Sequence, residues 1–80
     1  MSNELPYDQR LQADGLACPM PLLKAKLALK SLAEGQVLWV SATDSGSWQD
    51  LHTFADLTAH TLLAAEQRDG VYHYWIRKGA

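Results

Sequence analysis

Two prolines one residue apart, Pro19 and Pro21, stand directly ahead of the longest helically periodic stretch in the chain. They constrain the fold more than any other feature. Each biases the residue before it away from the α region, so Cys18 and Met20 are expected to be extended. Pro21 suits the first helical position, where its missing N–H has no intrahelical partner to lose. A helix beginning at Pro19, with Cys18 at its cap, fits the same logic, and the residues alone leave both starts open. Either start makes a stiff surface loop that holds Cys18 at the positive end of a helix dipole, where a thiolate is stabilised. The common alternative for a free cysteine is a small buried hydrophobe, and a doubly proline-braced loop argues against it.

The rest of the pattern alternates strand and helix. Arg10-Leu11-Gln12-Ala13 reads as a short strand closed by Asp14-Gly15. Leu22, Ala25, Leu29 and Leu32 are spaced by three, four and three, one helical stripe. Leu23 and Leu27 form a second stripe suited to a neighbouring helix, and Gly35 is the expected stop. Gln36–Ala42 reads as a strand. Ser47, three residues before Asp50, looks like a capping box opening a second helix that runs to about Ala59 or His60. Thr61–Gln67 and Val71–Lys78 are strands joined by Arg68-Asp69-Gly70, a hairpin signal. The order is βαβαββ. It predicts an α/β (α+β) two-layer sandwich: a four-stranded mixed sheet with two helices on one face.

With 80 residues, there is room for one domain, expected over 10–80 behind a loose arm over 1–9. A single cysteine excludes internal disulfides, and Met1–Pro6 lacks the pattern of a signal peptide. The apolar runs fall far short of the roughly 18 residues that span a bilayer, so a cytoplasmic, membrane-free setting is expected. Seven basic against nine acidic side chains give a net charge of -2, which argues against direct nucleic-acid binding. No Lys or Arg occurs between Lys30 and Arg68, whereas five acids do: Glu34, Asp44, Asp50, Asp56 and Glu66. Charge runs are usually solvated faces. A two-signed surface that orients a protein partner is the sharper reading. His52, His60 and His73 show no ligand spacing with Cys18, so no metal is expected. Nor does anything pair His60 with the thiol as a base. Of Trp39, Trp48 and Trp75, at least one is expected in the core, and an exposed one would mark a contact surface.

Gly15-Leu16-Ala17-Cys18-Pro19-Met20-Pro21 resembles the G-L-x-C-P-x-P signature of the TusA/SirA-like sulfur-carrier family. Asp50-Leu51 with Phe54, and Tyr72-His73-Tyr74-Trp75-Ile76-Arg77-Lys78-Gly79, resemble its second helix and closing strand. The resemblance covers roughly residues 11–79. It implies that Cys18 is the catalytic residue, accepting a sulfane sulfur as a persulfide and passing it on. Gly15, Leu16, Pro19 and Pro21 would support the motif, and Met20, Lys24 and Lys26 would dock the partner. The implied partners are a cysteine desulfurase or rhodanese-like donor and a downstream acceptor protein. That acceptor would serve tRNA thiolation, molybdenum-cofactor assembly or other sulfur metabolism, with no cofactor beyond the transient persulfide. Such a protein is a relay sulfurtransferase more than a multiple-turnover enzyme. Ala17 stands where members often carry Arg, and Gln12 where an acid is frequent, which points to a different partner. The alternative is a redox-sensing or regulatory binding module of the same fold. A thiol pKa below the ordinary value of about 8.5 would favour the carrier.

Overall fold

The computed structural model describes residues 5–80. Six elements follow in the expected order: β1 (Gln9–Ala13), α1 (Met20–Lys30), β2 (Val37–Ala42), α2 (Gly46–Leu57), β3 (Thr61–Arg68) and β4 (Val71–Arg77). The sheet order is β1-β2-β4-β3, with β1 parallel to β2 and β4 antiparallel to both its neighbours. The parallel pair requires a crossover, which α1 supplies. The last two strands need only a tight turn. Asp69 and Gly70 both take positive φ there, 54° and 80°, which explains the Asp-Gly pair.

Strand alternation builds the core. Leu38 and Val40 of β2 and Tyr74 and Ile76 of β4 point to one face. Ala25 and Leu29 of α1, Leu32 just beyond it, and Leu51 and Phe54 of α2 close over that face. Each buried Leu or Ile stabilises the fold by roughly 1.5–3 kcal/mol. The opposite face carries its own cluster: Trp75 is buried and stacks on Trp39 at 5.6 Å between centroids. Arg10 covers that ring, its guanidinium 4.1 Å from the centroid. Trp75 therefore fills the place of an interior tryptophan, while Trp48 stays partly exposed against Tyr72 and Tyr74.

Several local expectations are corrected. Residues 1–4 of the expected loose arm lie outside the described residues. Its last residues are tied to the sheet: Tyr7 packs edge-on against Trp39, Asp8 exchanges hydrogen bonds of 2.8 Å with Val37, and Gln9 already belongs to β1. Helix α1 ends at Lys30, not at Gly35, because the Ser31 hydroxyl bonds the Ala28 carbonyl and closes the last turn. Gly35 instead serves the next turn, at φ 89°. The second stripe finds no helix, since Leu23 and Leu27 are both exposed. Helix α2 stops at Leu57, where Thr58 turns extended and its hydroxyl bonds the Phe54 carbonyl.

Candidate functional site

The segment between β1 and α1 is held by its ends. Gly15 turns the chain at φ 83°, and its N–H donates to Thr43 Oγ1 at 2.9 Å, fixing the loop to the end of β2. Leu16 is half-buried, and Pro21 is buried under the helix start. Between these anchors Ala17, Cys18, Pro19 and Met20 are all exposed. The Cys18–Pro19 peptide bond is cis. Helix α1 begins at Met20 with Pro19 at its cap, between the two starts that the prolines allow.

The far wall of the site comes from the turn into α2. Asp44 Oδ2 accepts the Gly46 N–H at 2.9 Å, and the Asp44 carbonyl accepts the Ser47 hydroxyl at 2.8 Å. Ser47 is buried and meets the Tyr74 hydroxyl at 2.7 Å. The N-cap residue is Ser45, whose side chain makes no cap bond, and Ser47 lies inside the helix, so the capping-box reading of Ser47 and Asp50 is overturned. Ser47 is committed inward to β4, which leaves Asp50 free to serve elsewhere. One turn into α2, Asp50 Oδ2 accepts the Cys18 thiol proton at 2.7 Å. Gly46 permits the approach: a Cβ there would lie 3.2 Å from Cys18 Cβ and 2.8 Å from Asp44 Oδ2.

These neighbours reverse the expected electrostatics of the cysteine. Its thiol is pushed above the ordinary cysteine value, first by the hydrogen bond to Asp50, then by partial desolvation, then by the negative charges of Asp50 and Asp44. A carboxylate that accepts from the neutral thiol disfavours the thiolate, and that outweighs the helix terminus. Two of the five acids, Asp44 and Asp50, thus act on the sulfur. Sequence reasoning assigned Asp50 no role in the chemistry. The available signal was its place three residues after the inward-facing Ser47, on a helix face turned toward the cysteine loop.

The residues expected to dock partners lie on α1, and Lys26 alone of them lines the groove shared with α2. Met20, Lys24 and Lys26 are exposed on α1. Lys26 and Asp50 line opposite sides of a groove of about 310 Å³ between the helices, floored by Leu22 and Phe54. The Lys26 ammonium lies 5.8 Å from the Phe54 ring centroid. The histidines are engaged apart from the site: His52 Nδ1 with the Trp48 carbonyl, His60 Nδ1 with the Gly79 N–H, and His73 Nδ1 with Trp39 Nε1. Among the described residues, no three His, Cys, Asp or Glu side chains are grouped to hold a metal ion. No helix of the described residues is long and apolar enough to cross a membrane.

Residues 9–78 match the family model described as Sulfurtransferase TusA. The chain is 44% identical over 72 residues to the sulfur carrier protein TusA of Allochromatium vinosum, covering 90% of this chain and 95% of that one. It is 40% identical over 77 residues to the sulfur carrier protein TusA of Pseudomonas entomophila, covering 96% of each. Among solved structures it is similar to the SirA-like protein of Desulfitobacterium hafniense. The TM-score there is 0.79 at 31% identity, over 91% of this chain and all of that one.

Proposed function

The chain belongs to the TusA family of sulfur carriers, and we propose that Cys18 is the residue that carries the sulfur. The thiol accepts a sulfane sulfur as a persulfide and hands it to a downstream protein. One observation carries this reading: Cys18 is exposed at the tip of a loop anchored on both sides, next to a group that can accept its proton. The chemistry is the sulfur analogue of thiol–disulfide exchange, in which a nucleophilic sulfur attacks another sulfur and a thiol leaves. With one cysteine in the chain, no second thiol can resolve the persulfide internally. The sulfur leaves only through another molecule.

The donor fits a cysteine desulfurase or a rhodanese-like protein, each of which presents a persulfide on an exposed loop. The acceptor is a further protein of a sulfur relay, serving tRNA thiolation, molybdenum-cofactor assembly or another branch of sulfur metabolism. Met20, Lys24 and Lys26 are exposed on the helix that follows the thiol and are the docking residues. Gly15 and Pro21 anchor the loop, with Leu16 packed between them, and Pro19 caps the helix. An exposed, unpaired thiol suits a reducing compartment, and we place the protein in the cytoplasm. Redox-sensor cysteines rely on a lowered pKa. Cys18 is shifted the other way, so neither the sensor's lowered value nor the one expected of a carrier is met, and the carrier reading rests on the exposed loop and the family instead.

The test is direct. Incubation with a cysteine desulfurase and cysteine adds the mass of one sulfur atom to the wild type, removable by a thiol reductant, and adds nothing to Cys18→Ala. A wild type left unmodified by desulfurase, rhodanese and small-molecule persulfides alike would sink the reading.

A further inference from the structure

Sulfur uptake by Cys18, on which this inference rests, requires the thiol to lose its proton as the new S–S bond forms. Among the described residues, the charged groups that act on that sulfur are acids. Asp44 faces it from the turn before α2, and Asp50 from the first turns of α2 itself. On the α1 side, Lys26 lines the groove it shares with Asp50, but its ammonium rests near the Phe54 ring. Ala17 adds no charge beside the cysteine. Among the described residues the only ion pair is Arg68–Glu66, so none of them neutralises either aspartate. Asp44 is occupied with the backbone of its own turn. Asp50 is the group in hydrogen-bond contact with Sγ, at 2.7 Å.

We propose that Asp50 is the general base of sulfur uptake, taking the Cys18 proton as Sγ attacks the outer sulfur of the donor persulfide. A nucleophile and a base within hydrogen-bond reach are the arrangement such activation needs. The sulfur lone pair forms the new bond to the sulfane sulfur, which keeps its own hydrogen. The donor's S–S bond breaks, and its electron pair leaves with the donor sulfur. That thiolate recovers a proton from Asp50, directly or through water. One S–S bond is made and one is broken; Cys18 Sγ is oxidised as the donor sulfur is reduced, so no outside oxidant is needed. The raised thiol value fits this division of labour: little thiolate forms in advance, so deprotonation belongs to the transfer step.

Asp50 reaches its position through the fold. Gly46 admits the cysteine loop against the start of α2, and Ser47 fixes that start to Tyr74 of β4. The carboxylate is therefore held in place by packing and not by the thiol alone. An asparagine there has nearly the same shape and still accepts a hydrogen bond, but it takes no proton.

The experiment measures two rates on Cys18 in wild type and Asp50→Asn between mildly acidic and mildly alkaline pH. One is alkylation by iodoacetamide, which reports thiolate content alone. The other is sulfur uptake from cysteine persulfide, read as the ratio of variant to wild type so that ionisation of the donor cancels. The expected result is opposite signs. Alkylation of Asp50→Asn is faster near neutral pH, because the carboxylate no longer favours the neutral thiol. Sulfur uptake is slower by about a hundredfold, and the deficit shrinks as pH rises toward the thiol pKa. Asp50→Glu recovers part of the lost uptake. Changes of the same sign in both rates, or no change in uptake, overturn the inference while leaving Cys18 as carrier. A wild type that takes no sulfur overturns both.

Discussion

The hydroxyls of Ser47 and Tyr74 meet 2.7 Å apart in the buried layer between α2 and the sheet. Ser47 spends its proton on the Asp44 carbonyl, so Tyr74 donates to it. Tyr74 is fully buried, and its hydroxyl has no solvent to turn to. Ser47→Ala leaves that hydroxyl unsatisfied and is expected to cost about 1–3 kcal/mol. Tyr74→Phe leaves Ser47 its bond to Asp44 and is expected to cost less, about 1 kcal/mol. Urea unfolding midpoints should rank wild type above Tyr74→Phe and Tyr74→Phe above Ser47→Ala. The reverse order would mean that the pair does not anchor the helix.

Two neighbours on β4 set the pH limits of stability. His73 is held below its ordinary value, mainly by burial and then by Arg68 and Arg10. An unfolded chain therefore binds that proton more readily, and stability falls as pH drops through about 6.5 and below. Protonation also removes the acceptor that Nδ1 offers to Trp39 Nε1. Tyr74 is held above its ordinary value, mainly by burial, with the Ser47 hydrogen bond opposing the shift. Its contribution is intact below about 10 and lost as pH rises further. Thermal melts across pH should trace a plateau with both flanks, and His73→Gln should flatten the start of the acid flank.

The fold was legible because its signals are local. The stripe Leu22, Ala25, Leu29 and Leu32 does face the core, and the alternation over Tyr72–Arg77 does separate a helix-covered face from an aromatic one. The place of the cysteine loop was legible for the same reason, since two prolines mark a helix entry, but its conformation was not: Met20, expected to be extended, is the first residue of α1. The Cys18–Asp50 contact joins residues 32 apart and depends on where α2 begins in space. A local rule pointed elsewhere: Ser47 three residues before Asp50 has the form of a cap. Tertiary packing overrode it, because a buried hydroxyl on Tyr74 needed a partner more than an exposed helix end did. Leu23 and Leu27 failed as an interface stripe on similar grounds. Two helices on one sheet face meet along one side only, and on α1 that side is the one bearing Leu22 and Lys26, which line the groove with Phe54.

The docking assignment separates two lysines that sequence treats alike. Lys26 lines the groove with Asp50, whereas Lys24 lies outside it. A donor loop that seats against Cys18 and extends past Asp50 into that groove would meet Lys26. Lys26→Glu is expected to weaken transfer from a protein donor by about 1–2 kcal/mol, roughly fivefold to thirtyfold, through KM. Lys24→Glu should have the smaller effect, and added salt should narrow the difference. Uptake from a small persulfide should be unchanged in both variants. Equal losses for both lysines would mean a diffuse basic surface and no seated loop.

Gly46 and Gly35 test whether contact or backbone conformation governs the thiol. Gly46 opens α2, and a Cβ there would lie 3.4 Å from Cys18 Sγ, besides crowding its Cβ and Asp44 Oδ2. The Asp44 carboxylate can swing aside at little cost, but the cysteine must withdraw by a few tenths of an ångström from Asp50. Because alanine favours helix, the net stability change of Gly46→Ala should stay within about 1 kcal/mol. Its thiol should move toward the ordinary cysteine value, so iodoacetamide alkylation near neutral pH rises. Gly35→Ala behaves oppositely. That position has open space around it but sits at φ 89°, in the turn bonded to Lys78. Alanine there costs about 1–2 kcal/mol of backbone strain and leaves the thiol untouched. If Gly46→Ala lowered stability without changing alkylation, the close approach of α2 would not be what sets the state of Cys18.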